Sequence, residues 1–393
     1  LIVGVPKESI EGEDRVSVVP STVAKLIKAG LEVLVERGAG VAASYPDDRY
    51  EAAGAKLGDG PTVLSTSDVI LKVREPALWN DGRHEADQIK EGATLISFLF
   101  PLDCPDTIRR LRDRRVTSLA MERMPRITRA QSMDALSSMS SIAGYKAVLM
   151  AADLLPKFFP MMMTAAGTIT PARVLILGAG VAGLQAIASA RRLGAVVEAF
   201  DIRPVVKEQV ESLGARFVDL NVDNEDAEDK GGYAKEQSDE TQARIREVLK
   251  RRVAKSDAVI TTALIPGKKA PVLVTADMVD EMSPGSVVVD LAAEQGGNCE
   301  LSVAGQTIVH KGVKIAGPRN LPARMPLHAS DMYSRNISTY LLHLVEDGEL
   351  KMAEDDELAT APVVTRNGEI LDEAVRAALG EAPAEENGGG DDD

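Results

Sequence analysis

Val174-Leu175-Ile176-Leu177-Gly178-Ala179-Gly180-Val181-Ala182-Gly183 runs an apolar strand into a glycine-rich turn, and the amphipathic run Leu184–Leu193 follows as a helix. Gly178 permits the tight turn. Gly180 lets backbone approach a pyrophosphate, and Gly183 lets helix and strand pack closely, while the first helical turn offers oriented N–H groups to an anion. The next apolar run, Val196–Phe200, ends at Asp201, eighteen residues past Gly183. An acid there accepts hydrogen bonds from a ribose 2′-hydroxyl and repels a 2′-phosphate, so the spacing predicts NAD(H) and not NADP(H). Arg203, two residues on, either accommodates a phosphate or contacts the cofactor's own phosphates. The competing reading is a glycine-rich turn without ligand.

Further strands are expected at Ala258–Thr262, Ser286–Leu291 and Val313–Ile315, which extends the α/β pattern from Arg173 to about Arg319. Ligands of open α/β sheets sit outside the carboxyl edge of the strands. Thr261-Thr262-Ala263-Leu264-Ile265-Pro266-Gly267 therefore runs past the adenosine side, and Asp290 and Glu294 follow another strand end. For those two acids, helix capping or a solvated loop is an equal reading. A second alternation fills residues 1–125, with strands at Ile2–Val5, Leu31–Val35, Val69–Val73, Thr94–Leu99 and Ser118–Met121, and helices at Ser21–Ala29, closed by Gly30, and Asp106–Arg114. It has no phosphate-binding glycine signature. A small-residue helix over Ser132–Ala152 crosses between the two patterns, and a helix over Asp331–Val345 returns the chain to the first.

The 393 residues suit two or three domains, and the 45 % hydrophobic content supplies their cores. Aromatics make up only 3 %, so those cores must be aliphatic. A net charge of −15 disfavours a nucleic-acid backbone as ligand. Cys104 and Cys299 are too few and too far apart for a disulfide framework or metal cluster, and no metal is expected. No apolar run reaches the ~20 residues of a membrane span. The start of the chain meets Glu8 and Glu11 before a signal peptide's apolar region can form. Asp219–Asp229, with six acids and no base, leads to Gly231-Gly232-Tyr233 and suggests a long mobile loop; 381–393 is expected to be a disordered acidic tail.

Beyond the fingerprint, Arg126-Ile127-Thr128-Arg129-Ala130-Gln131-Ser132-Met133-Asp134-Ala135-Leu136-Ser137 resembles the Arg-Gln-Asp loop of the NAD(H)-binding component, domain I or alpha subunit, of proton-translocating NAD(P) transhydrogenase. The resemblance covers nearly all of residues 1–380. It includes Val5-Pro6-Lys7-Glu8, Leu71–Pro76, the Ala-Gly-Thr-Ile run at 166–169, 231–236, 264–267 and Pro326–Ser330. Alanine dehydrogenase shares the fold and several of these segments. The resemblance implies two Rossmann-like doubly wound α/β domains with a cleft between them, alanine-dehydrogenase-like. The first spans 1–137 and is completed by 328–380; the NAD(H)-binding domain spans 138–327.

By the same resemblance, Arg126, Gln131, Asp134 and Ser137 orient the nicotinamide end, with Ile127 and Thr128 beside them. Tyr233 and Gly232 belong to a mobile loop that closes over the nucleotide. Gly178, Gly180, Val181, Gly183, Asp201, Ile202, Arg203 and Leu264 take the phosphates and adenosine. An amide and a hydroxyl can fix a carboxamide, and an Arg–Asp pair can stiffen a loop. Taken singly, Arg126 and Asp134 read as a surface ion pair or a cap.

Oxidation of an amino acid needs a positioned base, whereas direct transfer between two nicotinamides needs geometry and the exclusion of water. His84, His310, His328 and His343 each read as structural or solvated. The catalytic histidine of alanine dehydrogenases is matched by Phe100, while their substrate-side arginine and lysine are matched by Arg15 and Lys72, read here as inherited architecture. Their later aspartate is matched by Glu294. With one fingerprint and no span, the resemblance implies NADP(H) on a partner subunit, membrane-spanning subunits that carry proton translocation, a homodimer, and a peripheral place on the cytoplasmic face of the cell membrane. The alternatives are an NAD-dependent amino-acid dehydrogenase and a non-catalytic NAD-sensing module.

Overall fold

The structure is a computed structural model that describes residues 1–219, 239–265 and 268–380. Gly232, Tyr233, the acids of 220–229, Pro266, Gly267 and the tail 381–393 lie outside the described residues. The chain divides into two compact units, one made of Leu1–Ser138 with the segment from Ala323 onward, the other of Met139–Pro322.

In the first unit the strands stand in the order Glu369–Ile370, Val363–Arg366, Thr117–Ala120, Thr94–Ser97, Val69–Leu71, Ile2–Val5, Glu32–Glu36 and Lys56–Gly58. The six from Thr117–Ala120 to Lys56–Gly58 pair in parallel. The C-terminal strand Val363–Arg366 adds antiparallel to Thr117–Ala120 and closes an edge that no local pattern marked. The order runs outward in both directions from Ile2–Val5, which is the doubly wound topology. Helix α3, Pro326–His343, starts five residues earlier than its periodicity indicated, because Pro326 suits a first helical turn. It is fastened to the N-terminal segment by Ser330 and Ser334, whose hydroxyl oxygens accept the N–H groups of Val16 and Val19 at 3.0 Å each.

The second unit has the strand order Arg216–Phe217, Val196–Phe200, Arg173–Leu177, Ala258–Thr261, Val287–Asp290, Val313–Ala316 and Thr307–His310, parallel except for the last. Its strands are apolar at successive positions because both faces are covered. Val174, Ile176, Ile260 and Val289 point to one core, which also takes Ala147 and Ala151 of helix α1, Ala135–Leu154, and Ala186 and Ala190 of helix α2, Val181–Arg192. Leu175, Leu177, Val259 and Val288 point to the other, against Ile245, Leu249, Met278 and Val279. α1 begins at Ala135 and not at Ser132, since Thr128–Met133 winds as a 3₁₀ turn ahead of it. A hairpin, Met162–Thr164 with Gly167–Ile169, fills part of the uncharged stretch before the glycine turn.

Candidate functional site

The glycine turn is built into the second unit by backbone contacts. Gly178 has φ +100°, a value open to glycine, and donates its N–H to the Phe200 carbonyl at 2.8 Å. A Cβ at Gly183 would stand 1.8 Å from the Gly178 oxygen, so this glycine is demanded by the fold itself. Gly180 differs: a Cβ there meets open space. Gly180 is also the N-cap of α2 and supplies no side-chain acceptor, which leaves the amides of the first turn to an outside anion. A closed turn with an open face at its middle glycine fits a dinucleotide pyrophosphate.

Asp201 follows Phe200 at the carboxyl edge and is 8 % exposed. One carboxylate oxygen accepts the backbone N–H and Nε–H of Arg203, both at 2.9 Å; the other accepts the Ala179 N–H at 2.7 Å and an Arg203 guanidinium N–H at 2.8 Å. These contacts use the roughly four acceptor positions of a carboxylate. The acid therefore ties the glycine turn to the Arg203 backbone, and a ribose hydroxyl can reach it only in exchange for the guanidinium. Val181 and Leu264 stay apolar and exposed, at 40 % and 41 %.

The solvated-loop reading of Asp290 is overturned. Its side chain is fully buried and accepts hydrogen bonds from Thr261 Oγ1 at 2.8 Å, Ala292 N at 3.0 Å, Cys299 N at 2.9 Å and Ser302 Oγ at 2.6 Å. Four donors compensate a buried charge. Glu294 stays exposed and accepts the Asn320 N–H at 3.3 Å. Thr262 hooks its hydroxyl onto the Gly178 carbonyl at 3.1 Å. Local reading missed Gly144 of α1, whose Cβ would fall 2.0 Å from the Ala182 carbonyl oxygen in the first turn of α2. Only the run of small residues in that helix hinted at it.

In the first unit, Ala130 and Met133 are buried and pin the 3₁₀ turn, while Arg126, Thr128 and Gln131 face outward and Ile127 is half-buried. α3 holds the turn from behind through Asn336, whose Nδ2 donates to the Ser132 carbonyl at 2.8 Å. Asp134 and Ser137 are brought together: the carboxylate accepts the Ser137 N–H at 2.9 Å and its hydroxyl at 2.6 Å, the contacts of a cap ahead of α1. Arg129 reaches Asp356 at 2.9 Å. Gln131 on the turn and Arg126 just before it are thus exposed above a buried base.

The first unit also holds a closed set of charges. Lys72 is wholly buried and lies 3.3 Å from both Glu8 and Glu85. Burial works against its ammonium, yet Glu8 and Glu85 hold it above its ordinary range. Glu8 is pushed up to about 7 by burial, only partly offset by Lys72. Arg15 is buried against Glu13, with contacts at 2.7 and 2.5 Å. Both cations are thus countered by carboxylates of this chain. Phe100 stacks on Phe98 at 5.8 Å, and its N–H donates to Glu122 at 2.6 Å. His84 takes the structural one of its two readings: Nδ1 accepts the Ala86 N–H at a helix start, Nε2 lies 3.2 Å from the Thr107 hydroxyl, and burial lowers its basicity. His310 and His343 pair with Asp280 and Asp356. Burial pushes the Cys104 thiol up to about 12 and that of Cys299 to about 11. Among the described residues no cluster could hold a metal ion, and no helix is long and apolar enough to cross a membrane.

Similarity to known proteins extends over nearly the whole chain. The family description "Alanine dehydrogenase/PNT, N-terminal domain" matches residues 4–143, and its C-terminal counterpart matches 147–373. A Rhodospirillum rubrum protein, named as the first part of an NAD(P) transhydrogenase subunit alpha, is 50 % identical over 379 residues, which are 95 % of this chain and 98 % of that protein. The solved structure of a transhydrogenase from Sinorhizobium meliloti superposes with a TM-score of 0.82 at 44 % identity, covering 95 % of this chain and all of the other. Alanine dehydrogenase of Bacillus subtilis is 31 % identical over 390 residues, 97 % of this chain and 95 % of that enzyme.

Proposed function

The chain belongs to the alanine dehydrogenase/PNT family, and from that premise we propose that it is the NAD(H)-binding alpha component of a proton-translocating transhydrogenase. In this reading it holds NADH for direct hydride transfer to NADP⁺ on a partner subunit, coupled to proton movement through membrane-spanning subunits that keep it at the cytoplasmic face. The bound dinucleotide supplies the redox chemistry. The chain's own residues bind and orient it. Gly178, Gly180, Val181 and Gly183 receive the pyrophosphate at the start of α2. Asp201, Ile202, Arg203 and Leu264 take the ribose and adenosine. Arg126, Ile127, Thr128, Gln131, Asp134 and Ser137 hold the nicotinamide end, and Gly232 and Tyr233 cover it. We assign the chain to a homodimer by the same family likeness.

The observation that carries this reading over amino-acid oxidation is the closed charge set of the first unit. A carboxylate substrate needs a cation and a base in reach, whereas Lys72 and Arg15 are countered internally and Phe100 cannot move a proton. The purified full chain should bind NADH alone and support NADPH formation only when an NADP-binding partner is added. NAD⁺ reduction with L-alanine by the chain alone would establish the dehydrogenase reading. NADH binding that never leads to transfer with a competent partner would establish a sensing module.

A further inference from the structure

Asn298 lies in a loop that follows the strand Val287–Asp290, and no pattern in the sequence sets it apart from the two glycines before it. Its side chain is wholly buried, and the amide makes three hydrogen bonds. Oδ1 accepts the Ala263 N–H at 3.0 Å; Nδ2 donates to the Ala263 carbonyl at 2.9 Å and to the Pro271 carbonyl at 2.8 Å. The backbone carbonyl of Asn298 in turn accepts the N–H groups of Leu273 and Val274, at 2.8 and 2.9 Å. A single residue therefore ties both stems of the excursion between Ala263 and Leu273.

The clamp is anchored on one side and aimed on the other. Asp290 holds the neighbouring Cys299 N–H and the Ser302 hydroxyl, and through Thr261 it joins the two central strands. Ala263 sits next to Thr262, whose N–H donates to Leu177 and whose hydroxyl donates to Gly178. A Cβ on Gly178 would come within 3.1 Å of the Ala263 nitrogen, so the clamped residue lies against the glycine turn itself. The residue that follows it is the exposed Leu264.

We propose that Asn298 is a positioning residue for the nucleotide: it fixes the backbone at Ala263 so that Leu264 is presented beside the glycine turn as an apolar wall for the adenosine. The inference rests on the NAD(H)-binding reading above. Side-chain chemistry explains the residue type. The site requires one acceptor and two donors in one plane, which an amide supplies; an aspartate offers no donor when ionised, and a serine is too short to reach both stems.

The test uses the full-length chain, with its partner subunit for turnover, and the variants N298A, N298S and N298D. NADH affinity is read by titration calorimetry, and local order by amide hydrogen exchange. Losing the clamp should weaken NADH binding about tenfold. The exchange of residues 261–274 should quicken while the rest of the second unit keeps its protection. In the assembled enzyme KM for NADH should rise with kcat within about twofold, the signature of lost uniform binding and not of a disturbed reacting centre. N298D should regain affinity as the pH falls, because its protonated carboxyl recovers one donor; wild type should not change in parallel. The assignment is overturned if N298A and N298S bind NADH as wild type does, or if exchange quickens throughout the unit in both, which would make Asn298 a support of the whole fold. Wild type that fails to bind NADH refutes the function proposed above, and the positioning role with it; that outcome is seen before any variant is made.

Discussion

Gly144→Ala sets two known effects of opposite sign against each other. In an exposed helix interior the change stabilises by about 1 kcal/mol, because alanine loses less backbone entropy. Here the added Cβ would stand 2.0 Å from the Ala182 carbonyl oxygen and 2.8 Å from its carbon, both backbone atoms, and a tolerable contact begins near 3.0 Å. No rotamer can relieve the overlap, so α1 and α2 must part by about 1 Å. Overpacking of this kind costs typically about 1–3 kcal/mol, and a backbone-to-backbone contact belongs at the upper end. The clash outweighs the propensity gain, with a net loss near 2 kcal/mol. At about 2–4 °C per kcal/mol for a unit of this size, the midpoint of thermal unfolding should fall by about 4–8 °C. Since Ala182 lies in the first turn of α2, the amides proposed to receive the pyrophosphate are displaced too, and NADH affinity should drop alongside. Circular dichroism melts and NADH titrations on wild type and variant check both effects. A variant that melts at or above the wild-type temperature would refute the reasoning, since propensity would then have won and the helix contact would be softer than its geometry states.

Asp201→Ala removes the counter-ion of Arg203 and, on the proposed reading, the ribose acceptor. NADH binding should weaken about tenfold or more, the low end of the worth of one hydrogen bond to a charged group, while NADPH binding should strengthen as the guanidinium turns to a 2′-phosphate; equal dissociation constants for each nucleotide in both proteins would show that the acid serves only the turn. Glu8 is raised from 4.5 to about 7 by burial, beside Lys72, Glu85 and Glu13. The folded state thus binds the extra proton: this stabilisation is complete below pH 4.5 and is lost as the pH rises through 7. Glu8→Gln cannot titrate, so its melting temperature should gain on wild type between pH 5 and 8. A constant difference across that range would contradict the assigned burial.

Most of the scaffold was legible because its signals are local. Continuous apolar runs gave most of the parallel strands to within a residue or two, and the glycine spacing marked the turn between the strand Arg173–Leu177 and α2. Departures came where a long-range partner took over. The 3₁₀ turn at Thr128–Met133 displaced the start of α1 once α3 packed behind it, and Val363–Arg366 found its place only by pairing with a strand more than two hundred residues earlier. Asp134 accepts the N–H and hydroxyl of Ser137 three residues on, the cap contact that its local sequence also allowed.

The amino-acid sequence by itself determined the doubly wound α/β class, the position of the glycine turn and the residue types at its rim, since these follow from runs of apolar side chains and backbone freedom over a few neighbours. Tertiary structure alone decided that Lys72 and Arg15 are neutralised, that all the lone pairs of Asp201 are committed, that Gly144 must lack a side chain, and that Asn298 clasps a segment thirty-five residues away. Lys72 with Glu8, Asp201 with Ala179, Gly144 with Ala182 and Asn298 with Ala263 are pairs remote along the chain, whose distances exist only once sheets and covering helices have packed, while Arg15 and Arg203 meet acids two residues away and owe to the fold the burial of those pairs.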